Sequence, residues 1–202
     1  MRTITANVNV TLDGVMQAPA DANEDTRGGF EHGGWATPYF DKVMGEVAAE
    51  GMAKGGGFLF GRRTYENFAS FWPTQGDDNP FAKSLNAGEK FVASRTLKEP
   101  LPWANSTLLE GDALDSVAKL KRQDGKDIVI LGSGVLVESL MERDLIDRFV
   151  LLIHPLVLGS GRRLFTDGGA FARFKLVDSK PTTTGVVIAT YEPVDARAAE
   201  GA

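Results

Sequence analysis

Residues 127–165, DIVILGSGVLVESLMERDLIDRFVLLIHPLVLGSGRRLF, constrain the fold more than any other stretch of the chain. A β-branched apolar run, Ile128 to Leu131, meets the turn Gly132-Ser133-Gly134. Helical apolar spacing follows from about Val135 to Arg143, and a second apolar run covers residues 149–158. Strand, glycine turn, helix and strand in that order predict a βαβ unit and place the chain in the α/β class. The turn lies where backbone N–H groups and a helix N-terminus hold an anionic cofactor.

The remaining segments extend the same pattern. Residues 3–12 are rich in β-branched types and read as a first strand ending at Asp13-Gly14. Residues 16–34 are polar and glycine-rich, which predicts a long functional or mobile loop with Phe30 and Trp35 as apolar anchors. Thr37-Pro38 reads as the start of a helix that runs through 41–52. A short strand at 58–60, a helix at 64–71, a short helix at 79–87 and strands at 90–94 and 106–109 follow. Asp112 caps a helix over about 113–123 that Gly125 is placed to end. Apolar runs at 174–179 and 186–192 flank a turn-rich PTTTG and predict an antiparallel hairpin closing a mostly parallel sheet. The span 1–193 reads as one domain, with 194–202 a frayed tail.

Composition narrows the function. The net charge of −5 argues against a general nucleic-acid or anionic-membrane binder, because phosphate backbones select clustered Lys and Arg. The absence of cysteine removes thiolate metal sites and thiol nucleophiles. The two histidines, His32 and His154, lack a carboxylate pattern that would make a metal site, so no metal is expected. His154 lies in an apolar strand and reads as a hydrogen-bonded core or interface residue, whereas His32 is exposed or ligand-facing. No signal pattern opens the chain and no apolar run reaches membrane-span length, so a cytoplasmic protein is expected.

Three strand ends carry donors for an anion: Gly61-Arg62-Arg63-Thr64, Ser94-Arg95-Thr96 and Gly132-Ser133-Gly134. In a parallel sheet the carboxyl ends of neighbouring strands share one edge, so the three turns converge on one groove suited to a dinucleotide with an extra phosphate. Each turn alone is ordinary punctuation. Val137 stands where the dinucleotide fingerprint has its third glycine, so that motif is not met. Arg162-Arg163 is open to two readings, a phosphate contact or a solvated turn.

These residues resemble the dihydrofolate reductase-like superfamily and, within it, the reductase domain of bifunctional riboflavin biosynthesis proteins (the RibD C-terminal domain). Val10-Thr11-Leu12-Asp13-Gly14 is similar to the end of that family's first strand. Gly61-Arg62-Arg63-Thr64-Tyr65-Glu66 is similar to a reductase signature. Leu131 to Gly134, Leu145-Ile146-Asp147 and Pro155 to Gly159 follow the order of the family's later block. The resemblance implies a three-layer fold, a mostly parallel sheet flanked by helices with an antiparallel C-terminal hairpin. It implies NADPH as cofactor and a homodimer. Gly61, Arg62 and Thr64 would lie near the phosphates, Ser94 and Arg95 near the adenosine 2′-phosphate, and Gly132, Ser133, Gly134, Val135 and Leu136 along the pyrophosphate.

The implied activity is hydride transfer to a small planar heterocycle of pyrimidine or pterin type. The alternatives are a non-catalytic nucleotide-binding protein, or an orphan reductase of a carbonyl, quinone or flavin. Residues 13–17 are expected near the nicotinamide as a partial lid. Asp13 is either a proton relay or a turn cap, and Gln17 is a second candidate. Asp41 is the carboxylate best placed to match the pterin-recognising one of dihydrofolate reductases, and Phe30 and Trp35 either line a substrate pocket or anchor the loop.

Overall fold

The computed structural model of the protein describes residues 1–76 and 78–194. Among these residues one sheet holds eight strands: β1 (Ile4–Thr11), β2 (Gly55–Gly61), β3 (Glu89–Ala93), β4 (Ser106–Leu109), β5 (Asp127–Leu131), β6 (Arg148–His154), β7 (Phe174–Pro181) and β8 (Val187–Pro193). The helices are α1 (Lys42–Lys54), α2 (Arg62–Phe71), α3 (Pro80–Ala87), α4 (Ala113–Arg122) and α5 (Gly134–Met141). The strand order is β4-β3-β2-β5-β1-β6-β8-β7. Every pair from β4 to β6 is parallel, and β8 and β7 complete the sheet as an antiparallel hairpin. This is the three-layer architecture expected. Of the expected tail at 194–202, only Val194 falls within the described residues. Among them, no helix is long and apolar enough to cross a membrane.

Alternation along the strands builds the two outer layers. Ile4, Ala6, Val8, Leu59, Ile128 and Ile130 point to one face and bury against Val117 and Leu120 of α4 and Val137 and Leu140 of α5. Phe58, Phe60 and Val92 point to the other face and pack with Tyr65 of α2, Leu85 of α3 and Trp103. Further along that face, Met44 and Val47 of α1 meet Val150, Leu152 and Ile188.

Two expectations are corrected. The strands of the βαβ unit, β5 and β6, are not neighbours, because β1 lies between them and pairs with both. Flanking carboxylates seat its start: Thr3 N–H donates to Asp127 and Ile4 N–H to Asp147, each at 2.8 Å. Lys121 then holds Asp147 at 2.6 Å. The helix expected from Thr37-Pro38 is likewise broken in two. Residues Thr37–Tyr39 form a single 3-10 turn, Phe40 is extended, and α1 starts at Lys42. Thr37 cannot cap a helix because its hydroxyl donates to Ala20 O, whereas Asp41 accepts the Met44 N–H at 2.9 Å.

Lys90 of β3 is wholly buried on the sheet face that carries Phe58. Its ammonium donates to the carbonyls of Leu85, Asn86 and Gly88 at the end of α3 and stands 4.6 Å from the Trp103 ring centroid. Burial pulls its pKa down to about 8, so the group is still mainly charged at neutral pH, held by three carbonyls of which only that of Asn86 has a second side-chain donor, Asn105 Nδ2 at 3.3 Å. Lys90→Met is expected to cost about 2–4 kcal/mol in urea unfolding, because it strands those carbonyls. An unchanged midpoint would show that water replaces the ammonium.

Candidate functional site

β2, β3 and β5 are parallel neighbours, so their C-terminal ends open on the same edge. The turns after them line one cleft of about 2110 Å³. Pockets for a single small ligand hold roughly 300–1,000 Å³, so this cleft has room for a dinucleotide and a second molecule. Gly61, Arg62, Thr64, Ser94, Arg95, Gly132, Ser133, Gly134, Val135 and Leu136 all line it.

Local backbone chemistry leaves donors open there. Gly132 and Ser133 both take left-handed backbone angles, with φ of 63° and 54°. This conformation turns the Ser133 hydroxyl across to accept the Gly61 N–H at 3.0 Å, joining the first and third turns. Ser133 therefore does not cap α5, and Gly61 has no side chain to cap α2. By contrast, Asn79 and Asp112 cap α3 and α4 with their side chains. The first-turn N–H groups of α2 and α5 thus remain available to a ligand. Arg62, Arg63 and Arg95 are exposed on the same cleft, and none forms an ion pair among the described residues. Ser94 organises the turn that carries Arg95, since its hydroxyl accepts the N–H groups of Thr96 and Leu97 at 3.2 and 3.0 Å.

The loop over residues 16–34 is docked. Gln17 is buried, and its amide is fully used: Nε2 donates to the carbonyls of Asp25 and Arg27, and Oε1 accepts the Arg162 N–H. Trp35 donates from Nε1 to Gln17 O at 2.7 Å. Phe30 and Trp35 pack with Val15, Ala18 and Ala36. Neither ring lines the main cleft, and Phe30 lines a smaller pocket beside it with Gln17, Arg27 and Arg162. Met16 crosses to the third turn, where a Cβ at position 134 would come within 2.2 Å of its sulfur. A side chain at 134 would displace the flexible end of Met16 from this turn.

The three expected catalytic side chains also have structural tasks. The Asp13 carboxylate accepts from the Thr11 hydroxyl at 2.6 Å and from the N–H groups of Leu158 and Gly159 at 3.2 and 2.9 Å. The Thr11 hydroxyl, and then those N–H groups, hold its pKa below the ordinary value, and it stands outside the cleft. Asp13 therefore caps its turn and ties it to the loop after β6. Asp41 also stands outside, because its carboxylate caps α1 through Met44 and accepts both the N–H and hydroxyl of Thr183. These bonds, the Met44 one foremost, lower its pKa. Gln17 touches the cleft with no free polar atom.

Other polar groups face the cleft in their place. Asn7 and Asn9 line its floor from β1, and Glu24 lines it from the loop, where burial raises its pKa. Asparagine is depleted in strands, so two of them in the middle of a β-branched run were a readable signal. Behind Asn9, His154 is wholly buried, with Nε2 3.0 Å from Asn9 Oδ1 and its ring edge-on to Trp35 and Tyr39. Nδ1 is buried without a partner, so a second ring proton would be stranded, and burial lowers the pKa to about 4.

The fold is an α/β one with a cleft at the carboxyl ends of its parallel strands, and comparison with known proteins gives the family. The model of the RibD C-terminal domain matches residues 2–188, and the chain belongs to that family. A similar curated protein is the uncharacterized protein YyaP of Bacillus subtilis (strain 168), 32% identical over 136 residues, 66% of this chain and 71% of that one. Among solved structures, a putative riboflavin biosynthesis protein from Shewanella sp. PV-4 superposes with a TM-score of 0.71 at 24% identity, over 95% of this chain and 99% of that one. The diaminohydroxyphosphoribosylaminopyrimidine deaminase/5-amino-6-(5-phosphoribosylamino)uracil reductase of Thermotoga maritima superposes with a TM-score of 0.63 at 15% identity, over 96% of this chain and 57% of that one. At these identities the solved structures establish a common fold.

His154 gives the stability curve a diagnostic slope. Its folded pKa lies below its unfolded value of 6.5, so the unfolded state binds the extra proton and stability falls as pH drops from about 6.5 to about 4. The full window is worth about 3 kcal/mol. His154→Gln should flatten the slope in urea titrations across this range. Glu24, with its raised pKa, slopes the opposite way above its unfolded value, so the difference between parent and variant isolates the histidine. Identical slopes would show that His154 is solvated.

Proposed function

We propose that the protein is an NADPH-dependent reductase that delivers hydride to a small planar heterocycle. One observation carries this reading: two helix N-termini without side-chain caps meet Arg62, Arg63 and Arg95, none of them in an ion pair among the described residues, on a single cleft that extends over β1. Anions prefer such a place because free N–H groups, the helix dipoles and guanidinium donors all point at it. The donor set fits a dinucleotide phosphate. Residues 132–136 and the start of α2 would hold the pyrophosphate, and Arg95, presented by the Ser94 turn, the 2′-phosphate. The family's membership among riboflavin-type reductases and the reductase named in the Thermotoga relative support the same class.

When bound, the nicotinamide supplies the hydride, and little acid-base equipment is asked of the protein. The chain's own part is to orient and to exclude water. The Ser133–Gly61 bond fixes the spacing of two turns, and the loop pinned by Gln17 and Trp35 covers the cleft from one side. That Asp13 and Asp41 are occupied elsewhere fits this division of labour, with the accompanying proton supplied by water.

Trp72 lines the cleft, so its fluorescence reports cofactor titrations. Arg95→Ala should raise the Kd for NADPH about 10- to 100-fold, the worth of a charged phosphate contact, and leave NADH within about three-fold. Equal losses for the two cofactors would remove Arg95 from the 2′-phosphate, and no response to either would sink the reductase reading.

A further inference from the structure

The loop over residues 16–34 and helix α2 form facing walls of the cleft. Asp21, Asn23 and Glu24 line it from the loop, and Arg63, Thr64 and Asn67 line it from α2. One hydrogen bond crosses from wall to wall: Asn67 Nδ2 donates to Glu24 O at 2.9 Å. Among the described residues no other hydrogen bond or ion pair joins this loop to α2. Asn67 sits in the interior of α2 and is exposed, a position where asparagine is a poor helix former. Short polar side chains there usually bond back to their own helix, whereas this one reaches across the cleft.

The loop does not need that bond for its own shape. Its tip is closed on itself: Ala20 N–H donates to Glu24 Oε2, Asn23 N–H to Asp21 Oδ1 and Glu24 N–H to Asp21 O, at 2.8–3.2 Å. Its root is held separately. Gly34 N–H donates to Ala18 O and Ala36 N–H to Pro19 O, beside the bonds of Gln17 and Trp35. The Asn67 bond is therefore spent on closing a gap.

The closure makes a ring. The Met16 sulfur lies against Gly134 at the start of α5, the Ser133 hydroxyl holds Gly61 at the start of α2, and Asn67 stands within that helix. Residues 16–24 complete the circuit, so both uncapped helix starts belong to it. Its three non-covalent joints differ in strength. The Ser133–Gly61 bond is part-buried between neighbouring strands, and Met16 is pinned through its N–H to Arg162 O at 2.8 Å. The Asn67 bond is exposed to water, and one such bond shifts an equilibrium only about three- to ten-fold.

Resting on the cofactor reading above only for the identity of the ligand, we propose that residues 20–25 are a strap latched to α2 by the Asn67–Glu24 bond. Release of this latch admits NADPH to the two helix starts and lets it leave. The latch is closed in both the free and the bound molecule, and Asn67 serves as a gating group without touching the ligand.

Two measurements on the intact chain test this. The first follows Trp72 quenching by NADPH in stopped flow. Weakening a latch that is closed before and after binding speeds entry and exit alike. Asn67→Ala should raise the association and dissociation rates about three- to ten-fold each and leave Kd within about two-fold. Asn67→Leu should do the same, and both residues are better helix formers, so α2 is not weakened. Unchanged rates, or a change in dissociation alone, overturn the gate. The second measurement needs no ligand. The chain has no cysteine, so Thr26→Cys and Glu66→Cys, both exposed and outside the cleft, carry the only nitroxide labels. Because one bond holds the strap shut, Asn67→Ala should bring a longer-distance population to the same order as the closed one. An unchanged distance distribution overturns the proposal. Failure of NADPH to bind overturns the cofactor reading, and the strap then stands or falls on the label distance alone.

Discussion

The placement of β1 between β5 and β6 is the constraint on which the rest of the molecule depends. With parallel partners on both edges, β5 along Ile4–Asn7 and β6 along Thr5–Thr11, β1 has most of its backbone groups engaged, so its face can serve as a floor. The clamp at its start, Asp127 and Asp147 accepting the Thr3 and Ile4 N–H groups, fixes its register against both neighbours. That register sends Ala6 and Val8 into the core and Asn7 and Asn9 to the cleft. A slip of one residue would exchange the two sets, burying amides and exposing methyls. The same strand ends in the Thr11–Asp13 turn, whose carboxylate holds Leu158 and Gly159, so the loop after β6 is positioned by β1 as well.

A division of labour follows among the polar side chains. Those of the lid and the helix starts are consumed in holding the backbone: Gln17 closes the loop on itself and on Arg162, Asp41 starts α1, and Asn79 and Asp112 start α3 and α4. At the edge formed by the three turns the first-turn backbone N–H groups of α2 and α5 are left without side-chain caps, because Gly61 has no side chain and Ser133 is turned to a neighbouring strand.

Much of this was legible in the chain. Glycine, serine and arginine directly after short apolar runs marked the three turns, and all ten residues taken from them line one cleft, because parallel strands must end on the same side. The hairpin from 174 to 193 was equally plain from its turn chemistry. Strand partners were not, since a period-two pattern shows which face a residue takes and is silent on which strand lies beside it. Asp13, Gln17 and Asp41 drew attention as functional groups because their partners Gly159, Arg162 and Thr183 lie about 140 residues away in sequence. The pairing of Asn9 with His154 across 145 residues was hidden for the same reason, although asparagine in a strand was itself a clue.

The unpaired arginines have a consequence for how a charged ligand arrives. The chain as a whole carries −5, so an anion at a distance is repelled, whereas within the cleft it meets Arg62, Arg63 and Arg95. The two fields have different ranges. At very low ionic strength the Debye length is about 30 Å and the whole molecule is felt, but near 0.15 M it is about 8 Å and the approaching anion senses chiefly the rim. A little salt therefore removes repulsion before more salt weakens attraction, so the association rate passes through a maximum with ionic strength where a uniformly basic site would show only decline.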